Sequence, residues 1–157
     1  VTTVRIVTAS NRASAGAYPD RSGDALAELV AQAGYDVDGP VVVPDGEPVE
    51  AALRSAVADG LAVVLTTGGT GVSPTDRTPE MTRRVIDTEI PGIGEALRAA
   101  GQPGVPAAML SRGLAGVAGR TFIVNLPGSP GGVRDGWDVL APVLRHAIDQ
   151  IRGGDHG

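Results

Sequence analysis

Along the chain, runs of β-branched and aliphatic residues alternate with stretches whose apolar positions recur every three or four residues. The first run, Val4 to Ala9, predicts a strand. Ser22 is a candidate N-cap for a helix that carries Leu26, Leu29 and Val30 on one face and ends at Gly34. A second strand is expected over Pro40 to Val43, then a turn at Asp45-Gly46 and a helix from Pro48 to Asp59, stopped by Gly60. The run Ala62 to Thr67 is nearly all apolar, as suits a central strand covered on both faces. Thr78 is a candidate N-cap with Pro79 behind it and Glu80 in the first turn, where acid suits the helix dipole. That helix is expected to reach Thr88, and another to run from Pro91 to Ala100. The segment 101–106, GQPGVP, reads as a loop, and Thr121 to Leu126 as the last strand. A final helix places Val133, Trp137, Leu140, Leu144, Ala147 and Ile151 in one stripe, so Trp137 is assigned to the core. Pro142 lies inside that helix and is expected to bend or break it. The alternation predicts an α/β sandwich around a mostly parallel sheet, forming one domain over residues 1–152 with a flexible tail at 153–157.

Composition narrows the chemistry. With no cysteine, thiolate metal sites, disulfides and a cysteine nucleophile are excluded. The net charge of −5 argues against a nucleic-acid partner held by a broad basic surface. All 13 basic residues are arginine, so no lysine can reach a phosphate or act as a base. His146 falls in a helical pattern and His156 in the expected tail, which makes both structural in this reading. The longest apolar runs are about five residues, far short of a membrane span. The opening VTTVRIVTASNRAS reads as a strand rather than a signal peptide, and the expected compartment is the cytoplasm.

Four polar or glycine-rich segments follow predicted strands: Ser10 to Ser14, Val43 to Asp45, Thr67 to Thr78, and Asn125 to Pro130. In open α/β sheets such segments gather at the carboxyl edge, where ligands bind. Gly68, Gly69 and Gly71 allow positive φ and close approach to a ligand, so their N–H groups could cradle an anion; a tight turn needed for packing is the alternative. The loop GGTGVSPTD matches neither GxxxxGK[ST] nor GxGxxG. Asp45 suits either a turn residue or a Mg²⁺ ligand, while Asp76 is left without a capping duty because Thr78 already suits the cap. Arg12, Arg77 and Arg112 are candidate phosphate clamps or simply solvated arginines. These features imply a phosphorylated ligand bound with metal assistance, and the reaction does not follow from them.

The stretch LTTGGTGVSPTDRTPE, with TASNRASAGAYPDRSG, VVPDG, EIPGIGEALR and AMLSRGLAGVAGRTFIVNLPGSPGGV in consistent order, resembles the MoaB/Mog family of molybdenum-cofactor biosynthesis proteins over roughly residues 4–150. The resemblance implies a three-layer αβα sandwich that binds molybdopterin. It further implies a molybdopterin adenylyltransferase that transfers AMP from Mg-ATP and releases pyrophosphate. A homotrimer or dimer of trimers is implied as well, with a molybdate-insertion protein as a further partner. Asp45 and Asp76 correspond to the family's essential acidic positions and to a Mg²⁺ site. The binding positions are Ser10, Gly68, Gly69, Thr70, Gly71, Thr78, Ser111, Arg112, Pro127, Gly128, Ser129 and Pro130. Three residues depart from the usual pattern: Asn11 stands in place of aspartate, Ile93 in place of an aromatic, and Ser129 where asparagine is frequent. The rival readings are a pterin-binding or assembly protein without efficient adenylylation, and molybdate insertion, whose loop typically reads GGVS. The GGTG loop and Thr78 to Glu80 favour adenylylation.

Overall fold

A computed structural model describes residues 2–154. Its sheet has six strands in the order β2-β1-β3-β6-β5-β4. They are β1 (Thr3–Ala9), β2 (Asp36–Val43), β3 (Val63–Thr67), β4 (Thr88–Glu89), β5 (Ala115–Ala118) and β6 (Thr121–Leu126). The pairs β1–β2, β1–β3 and β3–β6 are parallel, whereas β5–β6 and β4–β5 are antiparallel. The helices are α1 (Asn11–Ser14), α2 (Arg21–Gln32), α3 (Glu47–Ala58), α4 (Thr78–Arg83), α5 (Pro91–Gly101) and α6 (Pro130–Ile151).

Alternation along the central strands sorts the core into two layers. Val4 and Ile6 of β1, Val63 and Leu65 of β3, and Phe122, Val124 and Leu126 of β6 face one side. There they meet Leu26 and Val30 of α2 and Val133, Trp137, Leu140 and Leu144 of α6. Val7, Val64 and Ile123 face the other side, against Val49 and Leu53 of α3 and Met81 of α4. Every residue of β3 and β6 is buried, as the parallel centre of a sheet covered on both faces requires. Trp137 is in the core as expected, edge-on to Tyr35 with ring centroids 6.3 Å apart.

Several local expectations are corrected. The cap of α2 is Asp20, whose carboxylate accepts from Gly23 N, while the Ser22 hydroxyl is buried beside Thr67. Thr78 is the first residue of α4 rather than its cap, and no side chain caps that helix. Helix α4 stops at Arg83 instead of reaching Thr88, because Asp87 N and Ile90 N donate to Val117 O and Ala115 O and draw the chain onto β5. Strand β2 begins at Asp36, four residues earlier than expected, and runs through the cis peptide Gly39-Pro40. Helix α6 continues through Pro142. The carbonyl that Pro142 leaves without a partner, at Asp138, belongs to the exposed face where water can serve it. Ile90, Ile93 and Leu97 pack, partly buried, against the core. Gly153 N and Gly154 N turn back onto Gln150 O and Asp149 O; the rest of the expected tail, with His156, lies outside the described residues. Among the described residues no helix is long and apolar enough to cross a membrane.

Leu140 is fully buried between α6 and the sheet, whereas Val143, one turn on, is 43% exposed. Leu140→Ala is expected to cost about 2–5 kcal/mol in denaturant unfolding. Val143→Ala should cost under roughly 0.5 kcal/mol. Equal losses would show that α6 presents a different face to the sheet.

Candidate functional site

The sheet's connections diverge between β1 and β3, since the chain passes from β1 to β2 on one side and then crosses over to β3 on the other. The carboxyl ends of all four parallel strands meet there, and two cavities open at that edge. The first, about 480 Å³, is polar: Ser10, Asp20, Asp45, Gly68, Gly69, Asp76, Gly128 and Pro130 line it, with Arg12, Arg21 and Tyr18. The second, about 350 Å³, is mostly apolar, lined by Leu97, Val105, Ala108 and Leu110 with Thr70, Gly71, Ser111, Pro127 and Ser129. The glycine-rich loop after β3 and the PGSP loop after β6 each face both cavities. They touch, since a Cβ on Gly128 would lie 3.1 Å from Gly68 Cα. The four segments read from the sequence are therefore brought together, and two of them, after β3 and β6, form a ridge between two chambers.

Gly69, with φ of +68°, is closely crowded. A Cβ there would come 2.6 Å from Asp45 Oδ1 and 2.2 Å from Thr78 Oγ1. Both oxygens are buried without a hydrogen-bond partner. Thr78 is thus beside the site without capping its helix, and its backbone N closes the loop by donating to Gly69 O at 3.0 Å. Burial, and next the charge of Asp76, hold the Asp45 carboxyl above the usual carboxylate range. A carboxylate with an unsatisfied buried oxygen beside a second carboxylate fits a divalent cation. No group of three acidic, histidine or cysteine ligands exists among the described residues, so the ion would rest on this pair plus ligand phosphates.

Asp76 has a local duty that the sequence did not reveal. Ser73 N donates to its Oδ2 at 3.0 Å, and Asp76 N donates back to Ser73 O at 3.0 Å, so the carboxylate also pins its own turn. Arg112 donates Nε–H to Gly71 O (2.8 Å) and an Nη2–H to Asp76 O (2.9 Å), and pairs with Glu80. That pairing holds the Glu80 carboxyl below the usual range. Arg77 lines neither cavity.

Sequence reasoning missed Asp20. Its Oδ2 accepts from Thr8 Oγ1 at 2.7 Å on the floor of the polar cavity, and its Oδ1 caps α2. The signal was available in PDRSG, because a Cβ at Gly23 would lie 2.1 Å from Asp20 Oδ2 and only glycine leaves room for the carboxylate. Arg98 and Asp135, the charged groups of the apolar cavity, were also missed. They sit on α5 and α6, which the sequence marked only as packing helices. The three departures each have a structural account. Asn11 Oδ1 accepts from Asp45 N at 3.0 Å, as a carboxylate would but without a further negative charge beside Asp20, Asp45 and Asp76. Ser129 caps α6 by accepting from Gly132 N, a role asparagine fills equally well. Ile93 packs partly buried on the core.

The fold is an open α/β sheet whose carboxyl edge carries a polar cavity with three carboxylates, Asp20, Asp45 and Asp76, beside an apolar one. The chain belongs to the MoaB/Mog family: the family described as "probable molybdopterin binding domain" matches residues 5–146. The structure of a molybdopterin biosynthesis Mog protein from Mycobacterium ulcerans is 53% identical and superposes with a TM-score of 0.92, covering 96% of this chain and 99% of that one. A molybdopterin adenylyltransferase of Helicobacter pylori J99 is 34% identical across 96% of this chain and 88% of its own length. A molybdenum cofactor biosynthesis bifunctional protein of Synechococcus elongatus is 38% identical across 97% of this chain. The chain spans about half the length of the bifunctional relatives, 48% and 49%.

Two consequences can be measured. Gly119, with φ of +61°, has no atom within 4 Å of where a Cβ would lie, so Gly119→Ala carries only the left-handed backbone penalty of about 1–2 kcal/mol. Gly69→Ala should cost distinctly more by chemical denaturation, and equal costs would contradict the crowding at Gly69. Asp45 supplies the second. Its folded pKa is raised, so its contribution to stability is present at low pH and lost as pH rises through that pKa. Asp45→Asn is therefore expected to be more stable than wild type at neutral pH, with the gain vanishing in acid. A pH-independent difference would rule out this account.

Proposed function

We propose that the chain is a molybdopterin adenylyltransferase, transferring AMP from Mg-ATP to the terminal phosphate of molybdopterin with release of pyrophosphate. The observation that carries this reading is the junction of the two cavities at residues 68–71 and 127–130, with the unpaired Asp45 oxygen beside it. The polar cavity suits the nucleotide. Arg12 and Arg21 supply positive charge in a chain without lysine, and the amino terminus of the 12-residue helix α2 opens onto it. The apolar cavity suits the flat pterin, with Arg98 and Asp135 as its polar contacts.

In the reaction the molybdopterin phosphate oxygen forms a bond to the α-phosphorus of ATP as the bond to the pyrophosphate oxygen breaks. Two anions must be held in line, which requires charge neutralisation and orientation more than a strong base. Asp45 and Asp76 would hold Mg²⁺, which when bound neutralises charge on the phosphates. Gly68 N–H is committed to Leu126 O, so the backbone N–H groups of residues 69–71 and 128 would meet the phosphates, with Thr70, Ser111 and Ser129 on the side of the apolar cavity. Dependence on ATP goes with a cytoplasmic setting. Assembly as a homotrimer belongs to the same reading, and the exposed Val72 and Met109 offer apolar surface for it.

Incubation with molybdopterin and Mg-ATP should yield adenylylated molybdopterin and pyrophosphate in equal amounts. Asp76→Asn is expected to lower turnover by at least about 10²-fold, the scale of losing one electrostatic contributor at a reacting centre. Pterin binding without pyrophosphate release in the wild type would favour the assembly-protein reading instead.

A further inference from the structure

Arg112 is the point at which the two chambers are mechanically joined. It lies in the segment between the 3-10 helix Pro106–Leu110 and β5, next to Ser111 on the wall of the apolar cavity. Every partner it holds belongs to the loop that carries Asp76 or to the helix turn just after it. Its backbone N donates to Thr70 O at 2.7 Å, Nε to Gly71 O at 2.8 Å, and Nη2 to Asp76 O at 2.9 Å. Nη1 pairs with Glu80, beyond the turn. A planar guanidinium can serve three acceptors in fixed directions, which an ammonium on a flexible stem cannot do. The side chains of Arg112 and Glu80 are 37% and 48% exposed, so the ion pair itself is worth little. The bonds to the two carbonyls are what fix the backbone beneath Asp76. On the other side, Arg98 holds Ser111 O and Gly113 O, anchoring the Arg112 segment to α5, which lines the apolar cavity.

We propose that Arg112 is a positioning residue that couples the wall of the apolar cavity to Asp76, so that filling the pterin chamber sets the carboxylate in the nucleotide chamber. The sequence suggested a phosphate clamp for this arginine; its guanidinium is instead committed to protein groups. The inference rests on the adenylyl-transfer reading. It assigns Arg112 an effect on turnover rather than on the affinity of either substrate alone.

The test compares wild type, Arg112→Lys, Arg112→Ala and Glu80→Gln as the full chain, with thermal melting as the fold control. Arg112→Lys keeps the charge and loses the fork, so it remains informative if the alanine variant does not fold. Its kcat should fall roughly 10- to 100-fold, the scale of a small misplacement of a reacting group. Molybdopterin alone, and a non-hydrolysable ATP analogue alone, should each bind within about three-fold of wild type, because the loss lies in turnover and not in uniform binding. Any tightening of the analogue by bound molybdopterin should disappear in Arg112→Lys. Glu80→Gln should change kcat less than about two-fold, as befits an exposed pair. Unchanged kcat in a folded Arg112→Lys would overturn the positioning role while leaving adenylyl transfer intact. Weakened binding of molybdopterin alone would overturn it in favour of direct ligand contact. A wild type that releases no pyrophosphate would bring down both the reading and this inference.

Discussion

At Gly69 the backbone passes between two buried oxygens, Asp45 Oδ1 and Thr78 Oγ1, with no room for a side chain. The rest of the site depends on that passage. The left-handed φ turns the chain off the end of β3 and over Asp45, and the Thr78 N–H to Gly69 O bond then closes the loop. Two unsatisfied polar atoms and a carboxyl with a raised pKa are costly in a folded protein. The fully buried strands β3 and β6 supply the stability that tolerates them. Strain of this kind concentrated at one sheet edge is the usual mark of a site organised for a ligand rather than for stability.

The two chambers follow from the same topology. A parallel sheet with a switch between β1 and β3 places its loops on diverging paths, leaving a crevice at the carboxyl edge. Here β6 extends the parallel set, and its PGSP loop leans against Gly68, splitting the crevice in two. One half inherits carboxylates and arginines from loops after β1, β2 and β3. The other inherits the apolar sides of α5, α6 and the 3-10 helix. Opposite polarity on the two sides of one ridge is thus a result of which layers flank it. The antiparallel strands β4 and β5 matter chiefly because they carry the Arg112 segment back to that ridge.

The failures of sequence reading share a cause. β5, four residues long, and β4, two, have too few positions for a period to show; they exist because β6 offers an edge and Asp87 N and Ile90 N find acceptors there. The same pull ends α4 early. Asp20 and Ser22 both obey the capping preference, and only the burial of the Ser22 hydroxyl against Thr67 decides between them. At Pro142 the helix is not broken, because the freed carbonyl faces solvent. Long periodic features such as the α6 stripe were read correctly, except that Ile148 is buried where Ala147 and Ile151 are only partly so.

By itself the sequence determined the layer architecture, the parallel centre of the sheet, the family, and the four loops that supply the site. Those properties are written in local periodicity, glycine placement and residue type, which act over a few neighbouring positions. Tertiary structure alone decided that the loops form two chambers, that Asp45 is left with a buried unpaired oxygen, and that Arg112 grips the backbone instead of facing a ligand. Each of these depends on contacts between residues roughly 20 to 60 positions apart, and hydrogen-bond partners at such separations are chosen by packing and desolvation, which no local pattern records.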